Sequence, residues 1–235
     1  MSNTYFQFKQ FTIHQQRCVM KVCTDACIFG AWIANKITPD ASVLDIGSGT
    51  GLLMLMLAQK NSGQIDGIEL EPACFGQLQE NIVASPWKDR LGLFHGDVGN
   101  YPFSRQYDFI ISNPPFYESD LQSASTEKNL AKHSMELSLE ELLDAIDQNL
   151  VRDGSFGVLL PFHRTAYFET LAFQKGFKLK EKLLLRQTNA HEYFRSVLHF
   201  SRENAACAII SGFVIRNEDG GYTGAFKELM GDYYL

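Results

Sequence analysis

Four consecutive residues, Asn113-Pro114-Pro115-Phe116, carry the clearest chemical signature in the sequence. They follow Tyr107-Asp108-Phe109-Ile110-Ile111-Ser112, an apolar run of strand formers, and Pro115 bars Pro114 from helical geometry, so the strand ends at Asn113. The side-chain oxygen of Asn113 and the carbonyl of Pro114 can each accept a hydrogen bond from one planar amine, while Phe116 offers a face for stacking. Such an amine is a poor nucleophile while its lone pair is delocalised into a ring. Two acceptors aimed at its hydrogens favour a pyramidal nitrogen and stabilise the charge that develops on it. Asn113, Pro114 and Phe116 are therefore the candidate catalytic residues, with Pro115 and Tyr117 beside them as candidate substrate contacts. The structural alternative is a strand-ending turn whose phenylalanine only fills the core.

The elements ahead of this stretch must supply a partner for that amine. Ser42-Val43-Leu44-Asp45-Ile46 reads as a short buried strand, Gly47-Ser48-Gly49-Thr50-Gly51 follows at once, and Leu52 to Lys60 continues with helical periodicity. A strand, glycine loop and helix in this order bring backbone N–H groups up to a ligand. The spacing is G-x-G-x-G rather than the G-x-G-x-x-G of a dinucleotide site, and Asp45 would repel a pyrophosphate. An acid there suits a ligand that carries an ammonium group. The next strand, Gln64 to Glu69, ends on a carboxylate about twenty residues past the glycines, where an acid can take both hydroxyls of a ribose. Glu71 is the rival, but Pro72 opens the following helix and leaves Glu71 in the turn. A third strand, Leu91 to His95, closes on Gly96-Asp97, whose carboxylate can accept from an exocyclic ring amine. Lys21 and Thr24 precede a helix from Ala26 to Asn35, with Thr24 or Asp25 as its cap, and are candidate contacts for a ligand carboxylate. The candidate cofactor-binding set is thus Lys21, Thr24, Asp45, Gly47, Gly49, Gly51, Glu69 and Asp97. Asn81, in the helix from Pro72 to about Ala84, reads as a surface residue or a helix-end contact.

Beyond Phe116, the stretch from Tyr117 to about Leu137 has no clear periodicity and carries Lys132 and His133, candidate substrate contacts on a covering loop. Ser138 with Glu141 forms a capping box ahead of a helix to Leu150, Gly154 to Leu160 reads as a strand, and Arg164 to Lys175 as its helix. Phe177 to Arg186 alternates, with Lys178, Lys180 and Lys182 on one face, and together with Lys175, Arg186 and Arg195 these cations make the best local basic patch, either a nucleic-acid contact or the wet face of an edge strand. Arg195 to Ser201 and Cys207 to Ile215 are two further strands, and the tail from Tyr222 packs back as a short helix.

Composition bounds these readings. The chain has 235 residues, 45% hydrophobic and 20% charged, with a net charge of −6, so a polyanion would need a local basic surface. No segment approaches the ~18 consecutive apolar residues that span a bilayer. The first sixteen residues lack the apolar core of a signal peptide. The five cysteines show no C-x-x-C pair or Cys/His spacing suited to zinc, so no metal is expected, and they read as reduced thiols of a cytoplasmic, monomeric protein. Residues 1–24 read as an N-terminal extension and 25–235 as one domain. Alternating strands and helices with a strand-rich end predict a doubly wound, mostly parallel α/β sheet of seven strands with one antiparallel strand near the C-terminus.

Asp45 to Gly51, Glu69, Asp97 and Asn113 to Phe116 resemble, in order, the cofactor and catalytic motifs of class I S-adenosylmethionine-dependent methyltransferases, over roughly Lys21 to Phe200. Within that superfamily the chain is similar to the bacterial tRNA adenine-N6 methyltransferases that modify valine tRNA at the purine 3′ of the anticodon. Phe6-Gln7-Phe8-Lys9-Gln10-Phe11, Lys21 to Asp25, Gly30-Ala31-Trp32, Ser112 to Tyr117, Tyr222-Thr223 and Asp232 to Leu235 carry this closer likeness, with Cys23 standing where a glycine is expected. The resemblance implies S-adenosylmethionine as cofactor, tRNA as partner, and direct transfer to a flipped-out adenosine. Methyltransferases of guanine N2 and of protein glutamine share the Asn-Pro-Pro-aromatic stretch, though the glutamine enzymes carry a sizeable helical domain ahead of the cofactor motif and only 41 residues precede Ser42 here. A non-catalytic RNA-binding module is the remaining alternative.

Overall fold

The computed structural model describes residues 3–115, 137–203 and 207–235. In chain order its elements are β1 (Tyr5–Gln7), β2 (Thr12–His14), α1 (Thr24–Ala34), β3 (Val43–Ile46), α2 (Leu52–Ala58), β4 (Ile65–Glu69), α3 (Pro72–Val83), β5 (Leu91–His95) and β6 (Tyr107–Ser112). Then come α4 (Leu139–Asn149), β7 (Leu150–Pro161), α5 (Thr165–Gln174), β8 (Lys178–Arg186), β9 (Arg195–Ser201), β10 (Ile209–Val214) and α6 (Gly224–Met230).

β1 and β2 pair as a separate hairpin, and the other strands form one sheet in the order β10-β8-β9-β7-β6-β3-β4-β5. Among the described residues only β9 runs antiparallel to its neighbours. The sheet therefore has the expected winding and the expected single reversed strand, with eight strands among the described residues rather than seven. The extra one is β10, which lies parallel to β8 at the edge and leaves Ile209 and Ile210 exposed. Strand alternation feeds two cores. Val43, Phe109 and Ile111 face the layer that holds α1, α2 and α3, while Leu44, Ile110 and Phe156 face α4 and α5. α2 is buried on all sides, which is why its sequence, LLMLMLA, shows no polar face.

Local chemistry accounts for the ends of several elements. The capping box of α4 is present, with Glu141 N–H donating to Ser138 Oγ at 3.1 Å and Ser138 N–H donating to Glu141 Oε2 at 2.8 Å. Two expectations are corrected. α1 begins at Thr24, so neither Thr24 nor Asp25 caps it; Cys23 holds the cap position without a side-chain bond, and Asp25 instead accepts from Arg195 Nε at 2.9 Å. β7 starts at Leu150, immediately after α4, and its first four residues lack the apolar alternation by which a strand is read.

The N-terminal hairpin is tied into the domain. Phe8 and Ile13 are buried in the core with Phe226, Met230 and Tyr233. Lys9 N–H donates to Tyr233 O at 2.8 Å, and Lys9 Nζ donates to Gly231 O at 2.6 Å. Cys18 and Cys74 form a disulfide with Cα atoms 4.7 Å apart, which corrects the reading of all five cysteines as thiols. The two are 56 residues apart and meet only because the segment after β2 folds back on the first turn of α3. Among the described residues no helix is long and apolar enough to cross a membrane, and no group of three or more His, Cys, Asp or Glu is arranged to hold a metal.

Candidate active site

Strand register alone assembles the row of groups expected at the carboxyl edge. Ile46 of β3 lies beside Ser112 of β6 on one side and Ile68 of β4 on the other, and Ile68 lies beside Phe94 of β5. The next residue in each strand is therefore Asn113, Gly47, Glu69 and His95, side by side at spacings of about 4.8 Å. Ser112 Oγ donates to Ile46 O at 2.8 Å and pins the two central strand ends together. Asn113 is half-buried, Pro114 buried and Pro115 exposed, so the chain reaches the surface at this edge within three residues of β6.

The glycine loop folds down onto the end of β4. The amides of Gly47 and Ser48 both donate to Ile68 O at 3.0 Å, and a Cβ at Gly67 would collide with Ser48 Oγ and Met54 Sδ. Gly51 has φ +83°, and a Cβ there would come within 2.7 Å of Leu78. Above Gly47 and Gly49, by contrast, a Cβ would meet almost nothing, so the loop presents an open cradle. Glu69 is held at its rim: Gly49 N–H donates to Oε2 at 2.8 Å and Glu71 N–H to Oε1 at 2.9 Å. Each carboxylate oxygen keeps a further lone pair for a ligand hydroxyl. The rival acid, Glu71, caps α3 through Cys74 N–H at 2.6 Å.

Asp45 sits beneath the cradle, 1% exposed, and neither of its carboxylate oxygens has a hydrogen-bond partner among the described residues. Burial, reinforced by the charge of Glu69, pushes its carboxyl up to about 8. A buried acid with no partner is costly in isolation. It fits a ligand that brings a positive charge, and the ammonium and ribose of S-adenosylmethionine match Asp45 and Glu69.

Comparison with known proteins gives the family and the fold. The family model of the methyltransferase small domain matches residues 31–142. A tRNA1(Val) (adenine(37)-N6)-methyltransferase of Dyadobacter fermentans is 42% identical over 99% of this chain and 98% of its own length. The chain belongs to the tRNA1(Val) (adenine(37)-N6)-methyltransferase family. A second relative of that name, from Cytophaga hutchinsonii, is 37% identical over 100% of this chain and 99% of its own. The fold matches a solved structure, M. jannaschii TYW2 in complex with AdoMet, with TM-score 0.58 and 15% identity over 85% of this chain and 86% of that one.

In this methyltransferase the remaining candidate residues divide by position. Thr24 opens α1 at the same edge of the sheet, because Asp25 is tied to Arg195 at the start of β9. Lys21 Nζ donates to Gln15 O and to Cys18 O at 2.8 Å, so in this structure its ammonium secures the N-terminal loop. Asp97 follows β5 at the carboxyl edge; it is exposed and accepts from Gly99 N–H at 2.9 Å and Asn100 Nδ2 at 3.0 Å. Phe116, Tyr117, Lys132 and His133 lie outside the described residues. Lys178 and Lys180 are not brought to the site. β8 runs parallel to β7, so they stand at the amino end of the sheet, opposite Asn113, and Lys180 pairs with Glu203 at 2.9 Å.

Asn81 corrects a sequence expectation. It is 1% exposed, accepts from His14 N–H at 3.0 Å, and donates to His14 O and Thr50 O, each at 2.8 Å. One side chain thus joins the N-terminal hairpin to the glycine loop, a role that helical periodicity alone does not signal. Asn81→Ala leaves three backbone groups without their partner and is expected to destabilise the methyltransferase by about 3 kcal/mol. Thermal denaturation should show a midpoint lowered by on the order of 10 °C; an unchanged midpoint would mean that water replaces the amide without cost.

Proposed function

We propose that this protein methylates N6 of adenosine 37 in tRNA1(Val), using S-adenosylmethionine as the methyl donor. The observation that carries the reading is the register that sets Asn113 beside Gly47, an amine acceptor next to a cofactor cradle. When bound, S-adenosylmethionine supplies a sulfonium methyl as the electrophile. Asp45 answers its ammonium, Glu69 its ribose hydroxyls, and the amides of the glycine loop lie along its length. Asn113 and the Pro114 carbonyl accept from the two N6 hydrogens, which orients the nitrogen lone pair and stabilises positive charge growing on the amine. Holding donor and acceptor in one crevice supplies most of the rate enhancement, with no covalent enzyme intermediate.

Incubating the protein with isotopically labelled S-adenosylmethionine and unmodified tRNA, then digesting the RNA for mass spectrometry, tests the assignment. Labelled N6-methyladenosine in the valine tRNA is the expected product. N2-methylguanosine would transfer the site to a guanine, since that amine is planar too, and label confined to protein would remove RNA as the substrate.

A further inference from the structure

The carboxyl edge of the sheet does not end at Asn113. β7 lies parallel to β6, with Val158 beside Ser112, and continues to Pro161 before Phe162 turns the chain. β9 begins at the same place, with Arg195 opposite Pro161, and Phe162 N–H donates to Phe194 O at 3.0 Å. β8 ends there too, delivering Arg186. By strand geometry Phe162 lies about 10 Å from Asn113.

The groups collected on this rim suit a single-stranded polyanion with flat bases. Phe162 is 42% exposed, and its ring lies 5.8 Å from that of Tyr193. The Arg186 guanidinium stands 5.5 Å from the Tyr193 ring and is braced by Asn189, whose Oδ1 accepts from Nη2 at 2.7 Å. Among the described residues neither Arg186 nor Arg164, which follows Phe162 by two positions, forms an ion pair. Arg195 differs, being paired with Asp25, and Glu192 is the rim's exposed acid. Three lysines away from the rim are neutralised, Lys175 by Asp144, Lys180 by Glu203 and Lys182 by Glu169, while the exposed Lys178 at the opposite edge forms no ion pair among the described residues. On a chain of net charge −6, unpaired arginines beside this tilted aromatic pair, running from the end of β7 next to β6 out to the end of β8, form the local basic surface that the composition demands.

We propose that this rim docks the RNA flanking the target base, with neighbouring bases stacked on Phe162 and Tyr193 and phosphates held by Arg186 and Arg164. The proposal rests on the tRNA reading above and assigns the place where that substrate lies. A flipped base leaves its neighbours without their stacking partner, and an aromatic rim within reach of Asn113 compensates for that loss.

The test uses the full chain with saturating S-adenosylmethionine and unmodified tRNA1(Val). Phe162→Ala is expected to raise KM for tRNA about tenfold while kcat and cofactor affinity stay within about twofold, and Phe162→Trp to restore KM. Arg186→Gln is expected to lower the slope of log affinity for tRNA against log salt by about one, the signature of one lost phosphate contact. Thermal midpoints with and without cofactor show that each variant is folded. The joint charge reversal Lys178→Glu with Lys180→Glu is expected to leave the salt slope as it was. Wild-type activity with unchanged KM and slope in the rim variants overturns the rim, as does a slope that falls only with the two lysines. A wild-type protein that methylates and binds no tRNA overturns the underlying reading, and the rim with it.

Discussion

Asn113→Ala is expected to lower the single-turnover rate of methyl transfer by about 10²–10³ while leaving S-adenosylmethionine affinity within about twofold. The asymmetry follows from position. Asn113 follows the end of β6, beside Gly47 but on the side away from Glu69, so its position is set apart from the proposed ribose end of the cofactor site. The lost interaction is one that strengthens as the amine acquires charge, so it appears in rate and not in ground-state binding. Asn113→Asp retains an oxygen acceptor and should recover part of the loss. Calorimetry and rapid quench on the same preparations separate the two quantities; a variant that binds cofactor normally and transfers methyl at the wild-type rate would remove Asn113 from the chemistry.

Asp45 gives the second large effect, and it depends on pH. In the cofactor-free protein burial and the charge of Glu69 raise its carboxyl to about 8, so it holds a proton at neutral pH. Binding an ammonium group beside it favours the carboxylate and expels that proton. Cofactor affinity should therefore rise as pH increases toward 8, by up to about tenfold per unit, with close to one proton released per binding event at pH 6–7. Titration calorimetry in buffers of different ionisation enthalpy reads the proton count directly. Asp45→Asn should abolish the buffer dependence and weaken binding by about 10- to 100-fold at pH 8, the worth of a hydrogen bond to a charged group. The stability of the cofactor-free protein should move the other way. A group whose folded pKa is raised stabilises fully below its unfolded value, near 4, and that contribution is lost as pH rises through about 8. A cofactor affinity flat across this range would mean that Asp45 is already ionised.

How much of this was legible beforehand differs by element. Asn113, Asp45, Glu69 and the glycines could be named because each sits at a strand end marked by its own turn chemistry, and parallel register then aligns strand ends without further information. Glu69 is preferred to Glu71 because Pro72 opens the next helix, and Glu71 does cap that helix. The disulfide, the buried role of Asn81 and the Asp25–Arg195 pair were illegible, because each joins segments that only the tertiary fold brings together. Lys178 and Lys180 illustrate the converse. A stripe of like charge is easy to see along one strand, but which end of the sheet it occupies depends on the direction of β8, and its counter-charges come from Glu203 and Glu169 elsewhere in the chain. Arg186 could be named within that patch, but its grouping with Phe162, Arg164 and Tyr193 could not, since these come from three separate strand ends.

The clasp between the N-terminal hairpin and the segment around Tyr233 has a consequence for synthesis on the ribosome. β3, β4, β5 and β6 can pair as soon as they emerge, but β1 and β2 have no completed seat until residues beyond 224 have been made. Asn81 and the Cys18–Cys74 disulfide can already hold the hairpin segment to α3, so what the last residues add is the other side of its seat. A nascent chain halted short of α6 would carry every motif of the candidate site and still lack the part of the scaffold that clasps the hairpin from the other side.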